Sequence, residues 1–194
     1  LDTNTTGDNN TAVGRDALTA NTTASNNTAV GLGALGANTT GTRNTAVGAN
    51  ALDASTTANY NSAFGTHAGS AITTGSLNSV FGDYALAATT TGASNSAFGQ
   101  SALGQNTTGH SNTAVGQNCL YGDNNTMIGE AAGNHSVVTT TGIQNTLIGS
   151  QTRADSAGSG QTVAIGYDVA GTGGYTTLGN ASSDIRALHG NITW

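Results

Sequence analysis

Ten carboxylates, four histidines and one cysteine are the side chains of this chain most able to do chemistry, and their spacing decides what they could do. Asp16, Asp53, Asp83, Asp123, Glu130, Asp155 and Asp168 are scattered along the sequence. Counted along the repeat described below, Asp83 shares a position with Glu130, and Asp16 with Asp168, but the repeats that carry them are not neighbours. No two carboxylates are thereby placed at the separation that acid–base or nucleophile–acid hydrolysis of a glycoside needs. His67, His110, His135 and His189 are as dispersed, and neither a His-x-x-x-His nor a Cys-x-x-Cys spacing occurs to hold a metal. The glycine-rich calcium nonapeptide with its aspartate is absent too. Cys119 stands where related segments carry alanine, which predicts a small buried thiol and no nucleophile. The expectation is a non-enzymatic chain without metal or cofactor.

What positions these residues is a repeat. Asn44-Thr45-Ala46-Val47-Gly48 recurs, with its glycine at Gly14, Gly31, Gly48, Gly65, Gly82, Gly99 and Gly116, each 17 residues after the last. Further equivalents at Gly129, Gly149, Gly166 and, more weakly, Gly179 follow at steps of 13, 20, 17 and 13. Self-similarity near this length marks a solenoid, whose coils cannot bury an apolar face alone and must stack. The expected fold is all-β, a parallel β-roll or β-solenoid of about ten short coils.

Each column of the repeat has its own physics. The residue before the glycine is apolar throughout: Val13, Val30, Val47, Phe64, Phe81, Phe98, Val115, Ile128, Ile148, Ile165, Leu178. The one before that is Ala12, Ala29, Ala46, Ala63, Val80, Ala97, Ala114, Met127, Leu147, Thr177 and their like. Adjacent residues of a strand point to opposite faces, so a short strand apolar on both sides is predicted. One solenoid has one interior. The second face is therefore expected to be covered by the same array in a neighbouring chain, giving a homo-oligomer, with the alanines as the side that a partner would cover. Asparagines four before the glycine, from Asn10 to Asn145, predict an amide ladder at the strand spacing of about 4.8 Å. The marker glycine predicts a positive φ at a corner. Ala17-Leu18, Ala34-Leu35, Ala51-Leu52, Ala85-Leu86, Ala102-Leu103 and Cys119-Leu120 predict a second, shorter strand, and Thr-Thr-Gly or Thr-Thr-Ala the turn to the next coil.

Composition limits the rest. Only 7% of residues are charged, 5% are aromatic, and proline is absent, so no thick core of large side chains is possible. A registered apolar column argues for order against low-complexity disorder. A net charge of -6 speaks against nucleic acid as a partner. No apolar run approaches the roughly 18 residues of a membrane span, and no signal peptide is apparent. The Asn-x-Thr sequons at Asn4, Asn21, Asn38 and Asn106 follow from composition and turn chemistry. Residues 1–180 are expected to form the solenoid. Residues 181–194, with Ile185, Leu188, Ile192 and Trp194, leave the pattern and are expected to be a junction segment, crossing between chains at an oligomer axis. Thr5-Thr6-Gly7 already has the form of a turn, as if a coil preceded it, and indels between Asn118 and Thr139 fall at one corner.

The Asn-Thr-Ala-Val-Gly unit with its following Ala-Leu resembles the head repeats of trimeric autotransporter adhesins, whose pattern is close to Asn-Ser-x-Ala-Ile-Gly. Asn61-Ser62-Ala63-Phe64-Gly65 and Val163-Ala164-Ile165-Gly166 are near matches. That resemblance implies a left-handed parallel β-roll, three chains about one axis. The longer form with Asn-Thr-Thr-Gly insertions is more similar to phage tail-fibre and tail-spike proteins. There a segment like Thr176-Thr177-Leu178-Gly179-Asn180-Ala181-Ser182-Ser183-Asp184-Ile185-Arg186 lies upstream of an endosialidase-type intramolecular chaperone. The resemblance implies a structural and receptor-binding segment on the virion tail, with itself as homotrimer, a host cell-surface glycan or protein, and other tail proteins as partners. His67, Tyr84, His110, Tyr121 and His135 break a monotonous surface and are the candidate contact residues. Two rivals stand beside this reading: a bacterial adhesin head on the cell surface, and an ice-binding solenoid. Ice binding usually wants Thr-x-Thr on one strand face, whereas adjacent threonines in a strand point opposite ways.

Overall fold

The computed structural model describes residues 1, 3–119, 122–133, 142–155, 159–180 and 182–189. Among them there is no helix, and so none long and apolar enough to cross a membrane. Each repeat contributes one three-residue strand: β1 Thr11–Val13, β2 Thr28–Val30, β3 Thr45–Val47, β4 Ser62–Phe64, β5 Ser79–Phe81, β6 Ser96–Phe98, β7 Thr113–Val115, β8 Thr126–Ile128 and β9 Thr146–Ile148. They are followed by β10 Arg153–Ala154, β11 Val163–Tyr167, β12 Ala170–Gly171, β13 Tyr175–Asn180 and β14 Ser183–Leu188. One sheet runs β1 to β9, then β11, β13 and β14, in chain order, while β10 pairs with β12 in a small second sheet. Pairing is parallel and in register by one repeat, Ala12 on Ala29, Ala29 on Ala46, Ala46 on Ala63. The chain is a parallel β-solenoid with a repeat of about 17 residues, as the period predicts.

The parallel order ends at the last strand. β14 turns back antiparallel on β13, pairing Leu178 with Ile185 and Tyr175 with Leu188. Residues 183–188, part of the expected chain-crossing junction, thus close the sheet of their own chain. Ile192 and Trp194 lie outside the described residues.

The alanine column is the interior, not the side awaiting a partner. Ala29, Ala46, Ala63, Ala97 and Ala114 are fully buried, with Val80 in the same place, whereas Val13 is 57% exposed and Phe81 37%. Methyl-sized groups fit there because Leu18, Leu35, Leu52, Leu86 and Leu103 enter the same narrow interior from across the coil. Those leucines are not in strands. The Ala-Leu pairs lie in turns, and each leucine adopts the left-handed region at φ 51–53°. The sequence expectation of a second strand fails because this wall of the coil is bent at every rung. One backbone bond, such as Leu35 N–H to Ala51 C=O at 3.0 Å, is all that the leucine itself donates to the next coil. A left-handed leucine is unfavourable by about 1–2 kcal/mol, offset by burial of the side chain. Where the leucine is replaced by Gly69, Ile72 fills the volume, its Cδ1 2.9 Å from where a glycine Cβ would stand.

The marker glycines have the expected positive φ, and stacking adds a second reason for them. At Gly65, with φ +139°, a Cβ would lie 2.6 Å from the carbonyl oxygen of Gly82 in the next coil. No side chain can enter between coils that close.

The asparagine ladder is continuous and buried. Asn61 N–H donates to Asn44 Oδ1 at 2.9 Å, and Asn61 Oδ1 in turn accepts from Asn78 N–H at 2.9 Å and Asn78 Nδ2 at 3.1 Å. Its own Nδ2 donates to the Gly75 carbonyl at 2.9 Å, so one residue, by backbone and side chain, ties three coils together. Asn61→Ala would leave the Asn78 amide and the Gly75 carbonyl buried without partners, at about 1–3 kcal/mol each. Thermal or urea unfolding should show a loss of about 2–4 kcal/mol for this variant, against less than about 0.5 kcal/mol for the exposed Thr57→Ala. Equal stability of the two would mean that the ladder does not hold the coils together.

Candidate functional site

Six of the carboxylates are engaged one by one in local bonds. Asp83 Oδ1 accepts from Thr66 N–H at 3.0 Å, Asp123 Oδ1 from His110 N–H at 2.6 Å, and Asp155 Oδ1 from Ser159 Oγ at 2.7 Å. Asp168 pairs with Arg153, Asp16 with Arg15 at 3.3 Å, and Asp184 with Arg186 at 2.8 Å. Among the described residues no three His, Cys, Asp or Glu side chains converge to hold a metal. Asp53 differs in being half-buried with one oxygen, Oδ1, lacking a partner. Burial lifts its pKa above the ordinary carboxylate value, against hydrogen bonds from the backbone and attraction to His67. Cys119 is buried as expected, its Sγ 3.0 Å from the Gly129 carbonyl, and burial pushes its thiol up to about 11.

Of the five candidate contact residues, the structure brings two together. His67 and Tyr84 occupy consecutive rungs of the position two after the glycine, where every residue from Asp16 to Asp168 has φ between 52 and 67°. Their rings stack at 5.0 Å with 23° between planes. His110 stands apart, six residues before its glycine, and its Nδ1 accepts from the Ala93 amide at 3.0 Å. That is a structural duty shared by its column: Ser25 Oγ, Asn59 Oδ1, Ser76 Oγ and Asp123 Oδ1 each accept from the amide one coil away. Tyr121 and His135 lie outside the described residues.

One cluster escaped sequence reasoning. Tyr60 and Arg43 are exposed neighbours five before the glycine, with the guanidinium 5.2 Å over the tyrosine ring. Their column is otherwise mostly asparagine, serine and glutamine, so an aromatic and a cation one repeat apart were the available signal. The outer face of the long sheet carries the apolar column that precedes the glycine. Phe64, Phe81 and Phe98 form a ladder with centroids 4.8 and 5.0 Å apart and planes within 6°. With Val13, Val115, Ile128, Ile165 and Leu178, each about 40% exposed or more, they make one apolar column down the rod. The strands' first residues, threonine or serine from Thr11 to Thr146, lie on the same face, and neither column carries a charge.

Comparison with protein-family models, with curated proteins and with solved structures finds no match.

Two expectations follow from the titrating groups. A raised pKa means that folded Asp53 holds its proton more tightly than the unfolded chain does. Its contribution to stability is then full below about pH 3.8 and is lost as pH rises through the raised value. Asp53→Asn should therefore melt higher than the parent at about pH 7 and no higher at about pH 3, by calorimetry. Cys119 should resist a thiol reagent at neutral pH until the chain unfolds, with labelling that tracks global unfolding in denaturant. Fast labelling of the folded protein would show the thiol to be accessible.

Proposed function

We propose that this chain is a structural and host-attachment segment of a viral tail fibre or tail spike, non-enzymatic, and built from three parallel copies about one axis. The observation that carries the reading is the charge-free apolar column on the outside of the sheet. Eleven rows at about 4.8 Å give a strip roughly 50 Å long, enough for the ~800 Å² per partner of an ordinary stable interface. A contiguous apolar patch of that length calls for a partner. A partner of any other pitch would match one or two rows, whereas a second copy of this chain repeats at the same pitch and matches throughout.

Two features support a passive, exposed role. The asparagine ladder and the outer-turn column spend their side chains on the coil-to-coil backbone, and the resemblance of the Asn-Thr-Ala-Val-Gly repeats to tail fibres and adhesin heads points the same way. Fold alone does not carry function. The same geometry would serve a bacterial adhesin head, and the genetic neighbourhood of the reading frame separates the two.

A second reading, ice binding, gains from one observation. The threonine pairs lie in bends, not in strands, so the alternation that would hide every second residue does not apply. Thr40, Thr57, Thr74 and Thr91 are all exposed, one per coil, beside the half-buried Thr39, Thr56, Thr73 and Thr90. The latter spend their hydroxyls on the next coil, as Thr39 Oγ1 does on the Thr56 carbonyl at 3.1 Å.

Sedimentation decides the first reading. The parent should run as a trimer and Phe81→Asp, which places a charge in the strip, should run as a folded monomer, while Thr57→Asp on the bend stays trimeric. A parent that is monomeric at micromolar concentration would remove the assembly. Thermal hysteresis in the parent, lost in Thr57→Tyr, would establish the ice-binding reading instead.

A further inference from the structure

We infer that the coil corner around Tyr84 is a binding ledge for a neutral pyranose, a statement that rests on the host-attachment reading and gives it a ligand class. Aromatic faces are the scarce resource on this rod. Phe64, Phe81 and Phe98 stack on one another, one face of Tyr60 holds the Arg43 guanidinium, and Tyr167, 60% exposed, has no ring stacked on it among the described residues. Tyr84 is 51% exposed, and its lower face is covered by His67. The rung above it holds Ser101, whose amide bonds to Asp83 C=O at 2.9 Å in the ordinary one-coil register. A serine cannot cover a phenol ring, so the column steps inward and Tyr84 presents its upper face as a shelf.

The walls of the shelf are polar. In the adjoining column the exposed Gln117 donates Nε2 to Gln100 Oε1 at 2.7 Å, which leaves the Gln100 amide hydrogens and Gln117 Oε1 open to a ligand. Asp83, also exposed, uses Oδ1 on the Thr66 amide and leaves Oδ2 for a ligand hydroxyl. An apolar plate edged by paired amides and a carboxylate matches a sugar ring, which has a C–H face and a rim of hydroxyls. Charge narrows the class. No lysine exists and the four arginines, at 15, 43, 153 and 186, belong to other coils, whereas Asp83 stands on the shelf's own coil. Acidic sugars are repelled there.

The test uses the assembled full chain, titrated with neutral gluco-, galacto- and manno-oligosaccharides and their 2-acetamido forms, with sialyllactose as the acidic control, followed by ligand-observed saturation-transfer NMR. At least one neutral sugar should bind. Its affinity should fall roughly tenfold or more in Tyr84→Ala and be retained in Tyr84→Phe and Tyr60→Ala, each variant first shown to be folded and trimeric. Absence of binding by every neutral sugar, preference for sialyllactose, or equal binding by Tyr84→Ala and Tyr60→Ala would overturn the ledge. Adsorption of the same proteins to a panel of bacterial cells is read separately. Adsorption unchanged by Tyr84→Ala sinks the ledge and keeps the attachment reading. Absent adsorption together with Tyr84-dependent sugar binding sinks only the attachment reading.

Discussion

The structure depends on one requirement: the peptide groups that the turns inside a coil leave open, such as Leu35 N–H on Ala51 C=O, must find partners in the coil above or below. A coil of about 17 residues with one three-residue strand offers too little regular ladder to do this through strands alone. Asparagine supplies the difference. At the rung before each strand, an Oδ1 accepts the next coil's amide while an Nδ2 reaches a carbonyl further on, as at Asn95, Asn112 and Asn125. An unpaired buried amide costs about as much as a hydrogen bond yields, so the ladder is as much a penalty avoided as a bond gained. Ser, Asn, His and Asp side chains do the same for the outer turn, which is why chemically varied residues there perform one task.

Where the ladders fail, the structure records it. A second inner column runs Asn4, Asn21, Asn38, with Nδ2 to Oδ1 distances of 3.0 and 3.1 Å, and then meets Ser55 and Ile72. Asn38 Oδ1 and Ser55 Oγ are left buried without partners at that break. The break coincides with Gly69 in the leucine column, so Ile72 answers a packing need across the coil at the expense of polar pairing. At the far end Thr162 takes the asparagine position and Thr177 the alanine position, and both bury an unpartnered hydroxyl. The repeat is least regular where the sheet passes into the closing hairpin.

Much of this was legible in the sequence because a solenoid writes its constraints as columns. The glycine corner, the asparagine ladder, the strand before the glycine and the buried Cys119 could all be read from position and residue type. Three matters could not. A strand apolar on both sides does not say which side is in, and it is the small size of alanine that fits it to the narrow interior. Ala-Leu looks like strand by composition, yet the leucines are left-handed, a conformation that propensity argues against and that only the closed coil imposes. His110 looked like a surface exception, and its ring nitrogen is a ladder acceptor. The stacking of His67 on Tyr84 was implicit in the 17-residue spacing, since residues one period apart are neighbours in space.

The direction of the hydrogen bonds also decides how such a rod carries load. Strand-to-strand bonds run along the axis, so a pull on the two ends loads the coils in series, each joint bearing the whole force. Added coils lengthen the rod without toughening it, and failure begins at the poorest joint. The 13-residue step between Gly116 and Gly129 is four residues shorter than the usual one and lacks the Thr-Thr-Gly turn. Copies lying side by side would change the mechanics, because the apolar strips run parallel to the pull and are sheared all at once. Bundling converts a chain of weak links into a cable, which is the form a fibre under tension requires.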